Sequence, residues 1–76
     1  MNNIERIRNL LKEIKPTMDL SEVKDIIDAG YLDSLELMAL ITGLMDIFNV
    51  EIDVDLITAE NFNSIEAMAE MIEHLQ

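Results

Sequence analysis

The sequence predicts an all-α fold: a small bundle of three or four helices, with a long loop between the first helix and the second. Three observations lead there. Apolar residues recur at helical spacing in three separate stretches. Residues that cap helix starts stand at the head of each stretch. The alternating stretch Val50-Glu51-Ile52-Asp53-Val54-Asp55-Leu56 looks like a strand, but it has no second strand to pair with and is expected to run as an extended loop. With 76 residues, 50% of them apolar, one domain spanning 1–76 with a single core is expected. A chain of this size is marginal without further support. Cysteine is absent, so disulfides and zinc–thiolate sites cannot supply it.

The first helix is capped by Asn2 or Asn3, and Ile4, Ile7, Leu10, Leu11 and Ile14 form its apolar stripe. Pro16 stops it at Ile14 or Lys15. Residues 16–33 have no clear period. Met18, Leu20, Val23, Ile26 and Ile27 make that loop partly packed, with room for a short helical turn, and Gly30 suits a positive-φ turn before the next helix. A loop of this length in a small domain is uncommon and often functional. The second helix runs from Ser34 to Phe48 or Asn49. Leu37, Leu40, Ile41, Leu44, Ile47 and Phe48 share its broad apolar face, with Met38 and Met45 on the border, and Leu35, Ala39, Thr42 and Asp46 lie opposite. Gly43 costs about 0.5–1 kcal/mol against alanine inside a helix, which marks either a close approach of another backbone or a tolerated flaw. Thr58 heads a short turn through Phe62. Asn63 and Glu66 read as the capping pair of the last helix, whose buried stripe is Ile65, Met68, Ile72 and Leu75 and whose wet face carries Glu66, Glu70 and Glu73.

The net charge of −11 is unevenly placed. Arg6, Arg8, Lys12, Lys15 and Lys24 all precede residue 25, and residues 25–76 carry twelve acids with no lysine or arginine. Such a surface disfavours nucleic acid and anionic membranes and favours basic protein partners. Solubility alone also calls for net charge, but not for an all-acid run of this length. No apolar run approaches the length of a membrane span, and the first residues contain no apolar signal region, so a cytoplasmic monomer is expected.

The stretch that asks for a function is Gly30-Tyr31-Leu32-Asp33-Ser34-Leu35-Glu36-Leu37. Asp33 is a good N-cap and Glu36 completes a capping box, which puts Ser34 in the first helical turn, where a phosphate is favoured. Leu35 falls on the face away from the core. A nucleophilic role for Ser34 needs a base in reach. The one histidine, His74, is far along the last helix and reads as a solvent-facing residue near a helix end; no G-x-S-x-G elbow exists, so no catalytic residue is assigned. Asp53-Val54-Asp55 opens like a calcium loop, but Ile57, Thr58 and Ser64 stand where that pattern needs an acid or amide, glycine and glutamate, so no metal site is assigned. Met38, Met45, Met68 and Met71 read as core filling that could also repack around apolar guests.

Gly30-x-x-Asp33-Ser34-Leu35, with this helix order and an acidic short chain, resembles the acyl carrier proteins, and the match extends over most of the chain. Ile52, Phe62 and Ile65 stand where that family's later apolar positions are expected. The resemblance implies that Ser34 accepts 4′-phosphopantetheine from coenzyme A through a Mg²⁺-dependent phosphopantetheinyl transferase. The arm's thiol would then carry an acyl group as a thioester between enzymes, the chain itself catalysing nothing. Asp33 would help organise Mg²⁺ during transfer. Leu35, Glu36 and Asp46 would meet partners: the transferase, a loading ligase for acyl or aminoacyl groups, and acyl-processing enzymes with basic surfaces. Fatty-acid carriers usually show several acids along the exposed face of the second helix, whereas Glu36 and Asp46 are the only acids within this one. The double glycine that leads many peptidyl carrier domains is replaced by Tyr31-Leu32. These departures fit best a dedicated stand-alone carrier for a specialised acyl or aminoacyl group; an acyl carrier of fatty-acid or specialised metabolism is the main expectation, with an aminoacyl carrier of D-alanyl or peptidyl type as the alternative. An unmodified acidic adaptor explains the charge but leaves Ser34 and Leu35 without a role.

The acid excess carries one consequence for stability. Twelve carboxylates without lysine or arginine in residues 25–76 repel one another, and salt screens that repulsion. Tm should rise with NaCl, and rise further with Mg²⁺ at equal ionic strength. A flat response in a calorimetric salt series would show the acids to be already well spaced or paired.

Overall fold

The computed structural model describes residues 2–17 and 25–76. Helix α1 covers Asn3–Ile14, α2 Ser34–Phe48, α3 Ala59–Phe62 and α4 Ile65–Leu75, and a single 3₁₀ turn at Val54–Leu56 precedes α3. Among the described residues there is no strand, so the expected helical bundle is what forms. The packing expected of Met18, Leu20 and Val23 lies outside the described residues.

Each helix begins at a side-chain cap. The Asn2 carboxamide accepts from the Glu5 amide at 2.8 Å, and the Thr58 hydroxyl accepts from that of Asn61 at 3.3 Å. The last helix departs from expectation. Its cap is Ser64, whose hydroxyl accepts from the Ala67 amide at 3.0 Å, and Asn63 is turned to another task. Helix α2 ends at Asn49 in the left-handed conformation (φ 55°), one of the few non-glycine residues that adopts it readily.

Helix α1 packs against α2 and α4, and α3 against α4. The first two helices run antiparallel. Arg6, near the start of α1, donates to the Ile47 carbonyl at the end of α2 at 2.9 Å, while Lys15, at the end of α1, reaches Glu36 at the start of α2 at 3.4 Å. The Arg6 guanidinium also lies 4.5 Å from the centre of the Phe48 ring. Helix α2 has no basic residue in its own last turn, so Arg6 supplies the positive charge that its terminal carbonyls favour.

Ile7, Leu11, Ile26, Leu40, Leu44, Phe62, Met68 and Ile72 are fully enclosed, and no polar or charged side chain is buried among the described residues. Ile52 and Ile65 join this core as expected. Some apolar positions depart from the sequence reading. Ile47 and Met38 are exposed, Met38 at 58%, because α1 covers only part of the broad face of α2. Leu75, expected in the buried stripe, is only half-buried in the last turn, while Met71 is buried on the same helix as its reading as core filling expects. Val54 is 75% exposed: Asp53 caps the 3₁₀ turn, accepting from the Asp55 amide at 3.4 Å, and the turn breaks the strand-like alternation.

Gly43 marks a close approach, but of a side chain and not of a backbone. A Cβ at this position would lie 2.7 and 2.9 Å from the two terminal methyl carbons of Leu10. Turning the end of Leu10 swings only one of the two methyl carbons clear, so Leu10 must also shift within a packed layer. Overpacking of this kind costs about 1–3 kcal/mol, which outweighs the gain in helix propensity. Gly43→Ala should therefore lower stability in chemical denaturation, and a Leu10→Val background should remove most of that loss.

Candidate functional site

The site is the start of α2. Asp33 is extended (φ −83°, ψ −179°), and its Oδ1 accepts from the Glu36 amide at 2.8 Å. Glu36 Oε1 returns the bond, accepting from the Asp33 amide at 2.9 Å. The capping box is thus complete, as the D-x-x-E spacing implies. The first intrahelical bond runs from the Leu37 amide to the Asp33 carbonyl at 2.9 Å. Ser34 and Leu35 precede it, and among the described residues their amides have no acceptor. Ser34 is exposed. An exposed hydroxyl beside two open amides at a helix start suits a covalently attached phosphodiester.

Leu35 is 82% exposed, against the buried Leu40, Ile41, Leu44 and Phe48 of the same helix. Met38, one turn further on, extends this apolar surface, a continuation the wheel reading had placed at the edge of the core. Glu36 is half-buried and engaged twice, in the capping box and with Lys15. Asp46 is exposed but lies twelve residues beyond Ser34, about 18 Å along the helix at 1.5 Å per residue, so it does not share the serine's surroundings. Among the described residues no three acids or histidines come together as a metal site, and Asp53 is engaged as a cap. His74 is exposed.

Lys15, to which the sequence gives no role, and Asn63, which it gives as a helix cap, both contact the segment that leads to this site. Lys15 Nζ donates to the Tyr31 carbonyl as well as to Glu36. Asn63 accepts at Oδ1 from the amides of Ile27 and Asp28, at 2.9 and 3.2 Å. No local pattern announces either contact, since each spans at least sixteen positions of sequence. Gly30 takes the expected positive φ, 73°, and Asp25 a left-handed one, 54°.

Residues 5–72 match the family described as the phosphopantetheine attachment site. The chain belongs to the phosphopantetheine attachment-site family. This family is defined by covalent 4′-phosphopantetheine, and the chain is a carrier protein. Among curated relatives, the D-alanyl carrier protein of Streptococcus uberis is 33% identical over 60 residues, 76% of each chain. That of Streptococcus equi subsp. zooepidemicus is 32% identical over 69 residues, 91% of this chain and 82% of the relative. The one from Streptococcus pyogenes serotype M1 is 29% identical over the same shares. No solved structure matches the chain. No helix among the described residues is long and apolar enough to cross a membrane.

Leu35 and Leu44 test whether the carrier's apolar residues divide between surface and core as described. Leu35→Ala changes an exposed side chain and should leave stability within about 0.5 kcal/mol of the parent. Leu44→Ala opens a cavity in the core and should cost about 2–5 kcal/mol. Urea denaturation of the two variants measures both, and a large loss for Leu35→Ala would move Leu35 into the core.

Proposed function

We propose that this chain is a stand-alone aminoacyl carrier of D-alanyl type, bearing its 4′-phosphopantetheine on Ser34. The observation that carries the reading is an exposed serine in the first turn of a capped helix, inside the span that matches the attachment-site family. The names of the relatives favour an aminoacyl cargo over the fatty-acid or specialised-metabolite cargo first expected. The sparse acids of α2 agree with that choice.

In this reading Ser34 Oγ attacks the phosphorus of coenzyme A that bears the pantetheine. The Oγ–P bond forms, the pyrophosphate P–O bond breaks, adenosine 3′,5′-bisphosphate leaves, and the serine proton passes to solvent or to a base of the transferase. The chain's own part is to present the hydroxyl. The Asp33–Glu36 box fixes the first turn; the amides of Ser34 and Leu35 would meet the phosphodiester's charge, and Asp33 would help organise the Mg²⁺ that the transferase supplies. Lys15, by pairing with Glu36, reduces the negative charge that the new phosphodiester would meet. The attached arm supplies the thiol that this cysteine-free chain lacks, and holds the aminoacyl group as a thioester. Partners are the transferase, a ligase that loads the amino acid, and an acceptor enzyme, with Leu35 in their apolar pockets. The chain catalyses no step and works in the cytoplasm.

Incubation with coenzyme A, Mg²⁺ and a broad-specificity phosphopantetheinyl transferase should add one arm, seen by intact mass, and Ser34→Ala should take none. The product should then be loaded by a D-alanine–carrier ligase with ATP, and poorly by an acyl–carrier synthetase using fatty acid. Efficient fatty-acid loading alone would return the chain to the acyl carriers, and arm addition at Ser21 or Ser64 would overturn the assignment of Ser34.

A further inference from the structure

We infer that Asn63 and Lys15 are positioning residues for Ser34, fixing from two sides the loop that leads into α2. This rests on the reading of Ser34 as the attachment residue.

Asn63 stands between α3 and α4, yet its polar atoms face the loop ahead of α2. Its carbonyl accepts from the Ile26 amide at 2.9 Å. Its Oδ1 accepts from the amides of Ile27 at 2.9 Å and Asp28 at 3.2 Å, and its Nδ2 donates to Asp28 Oδ2 at 3.0 Å. One residue thus binds three consecutive residues far upstream in sequence. Ile26 is fully buried and the bond to the Ile27 amide is part-buried, so leaving these groups unpaired is costly, while the bonds to Asp28 lie at the surface. An ordinary cap would not do this, and the cap of α4 is supplied by Ser64 instead.

From Asn63 the hydrogen bonds continue to the serine. The Tyr31 amide donates to the Ile26 carbonyl at 3.1 Å. The Tyr31 carbonyl accepts from Lys15 Nζ, which also meets Glu36 Oε1 at 3.4 Å. That same oxygen accepts from the amide of Asp33, the residue before Ser34, at 2.9 Å. Residues 30–33 are therefore held between the α3–α4 junction and the end of α1. Gly30, at φ 73° with open space where a Cβ would lie, gives this segment a backbone with few constraints of its own. Without the two anchors, the ordering cost of the loop falls on the encounter with the transferase. The effect belongs in KM and much less in kcat, because neither residue touches the reacting atoms.

The test compares Asn63→Ala and Lys15→Met with Ile72→Val, a core control whose side chain makes none of these bonds. Tm, amide hydrogen exchange on the unmodified protein, and KM and kcat for arm addition from coenzyme A are measured for each. Asn63→Ala should speed exchange at Ile27 and Asp28 and raise KM for the carrier about tenfold with kcat nearly unchanged. Lys15→Met should act in the same direction and speed exchange at Asp33. Ile72→Val should lower Tm without moving KM. Asn63→Asp alone sets a carboxylate against that of Asp28, should also raise KM, and stands in for Asn63→Ala should that variant not fold; adding Asp28→Asn restores the bond with donor and acceptor reversed and should recover most of the parent KM. A KM that stays at the parent value in Asn63→Ala, or that moves equally in Ile72→Val, overturns the inference. A parent chain that takes no arm instead overturns the reading of Ser34 itself, with the exchange pattern still reporting on the loop.

Discussion

The contact of Leu10 with Gly43 sets how α1 lies on α2, and the attachment end of the molecule depends on that placement. A glycine inside a helix is unfavourable by itself, and it stands here where a leucine side chain seats against the backbone. Arg6 and Lys15 lie on either side of Leu10 in α1, and they reach opposite ends of α2. Three contacts along one pair of helices leave little freedom to slide. Their magnitudes differ. Burying a leucine or isoleucine contributes about 1.5–3 kcal/mol, while a partly exposed ion pair contributes about 0–1 kcal/mol. The apolar layer therefore holds the helices together, and the two cations reinforce at either end the placement that Leu10 and Gly43 set.

Helix periodicity made α1, α2 and α4 legible, and the capping box located the start of α2 at Ser34, because both signals depend on residues a turn apart. The wheel was less informative at the margins of α2. It gives the direction of Met38 and Ile47 but not where the covering helix ends, and that limit decides their exposure. Asn63 shows a different difficulty. Asn63 and Glu66 have both the spacing and the residue types of a capping box, whereas Ser64 and Ala67 share the spacing but lack the returning carboxylate, yet Ser64 is the cap. A serine hydroxyl can satisfy one amide, and the larger carboxamide is needed elsewhere, where it meets two amides and a carboxylate in residues far upstream. Such competition between a local bond and a distant one leaves no mark in the spacing of residues. The same holds for Lys15, which ordinary reading assigns to the solvated end of a helix.

The distribution of charge near Ser34 differs from that of the chain as a whole. The whole is strongly acidic, which favours encounter with basic partners over distances of roughly a Debye length, about 8–10 Å. Close to the serine the acids are already engaged: Asp33 as a cap, Glu36 as its reciprocal partner and as the partner of Lys15. Asp46 lies near the far end of the helix. What the surface offers a docked enzyme there is apolar, Leu35 with Met38 one turn away. In the proposed reading, long-range charge brings partners to the carrier, and discrimination among them falls to the fit of these two side chains. An exposed leucine and methionine contribute area without demanding a matching charge, so a partner lacking a basic patch loses encounter rate and keeps its docked affinity. In the same reading, a partner that relies on a row of basic residues would find few acids along α2 to meet them, because Ala39 and Thr42 occupy its outer face and Glu36 is engaged within the fold.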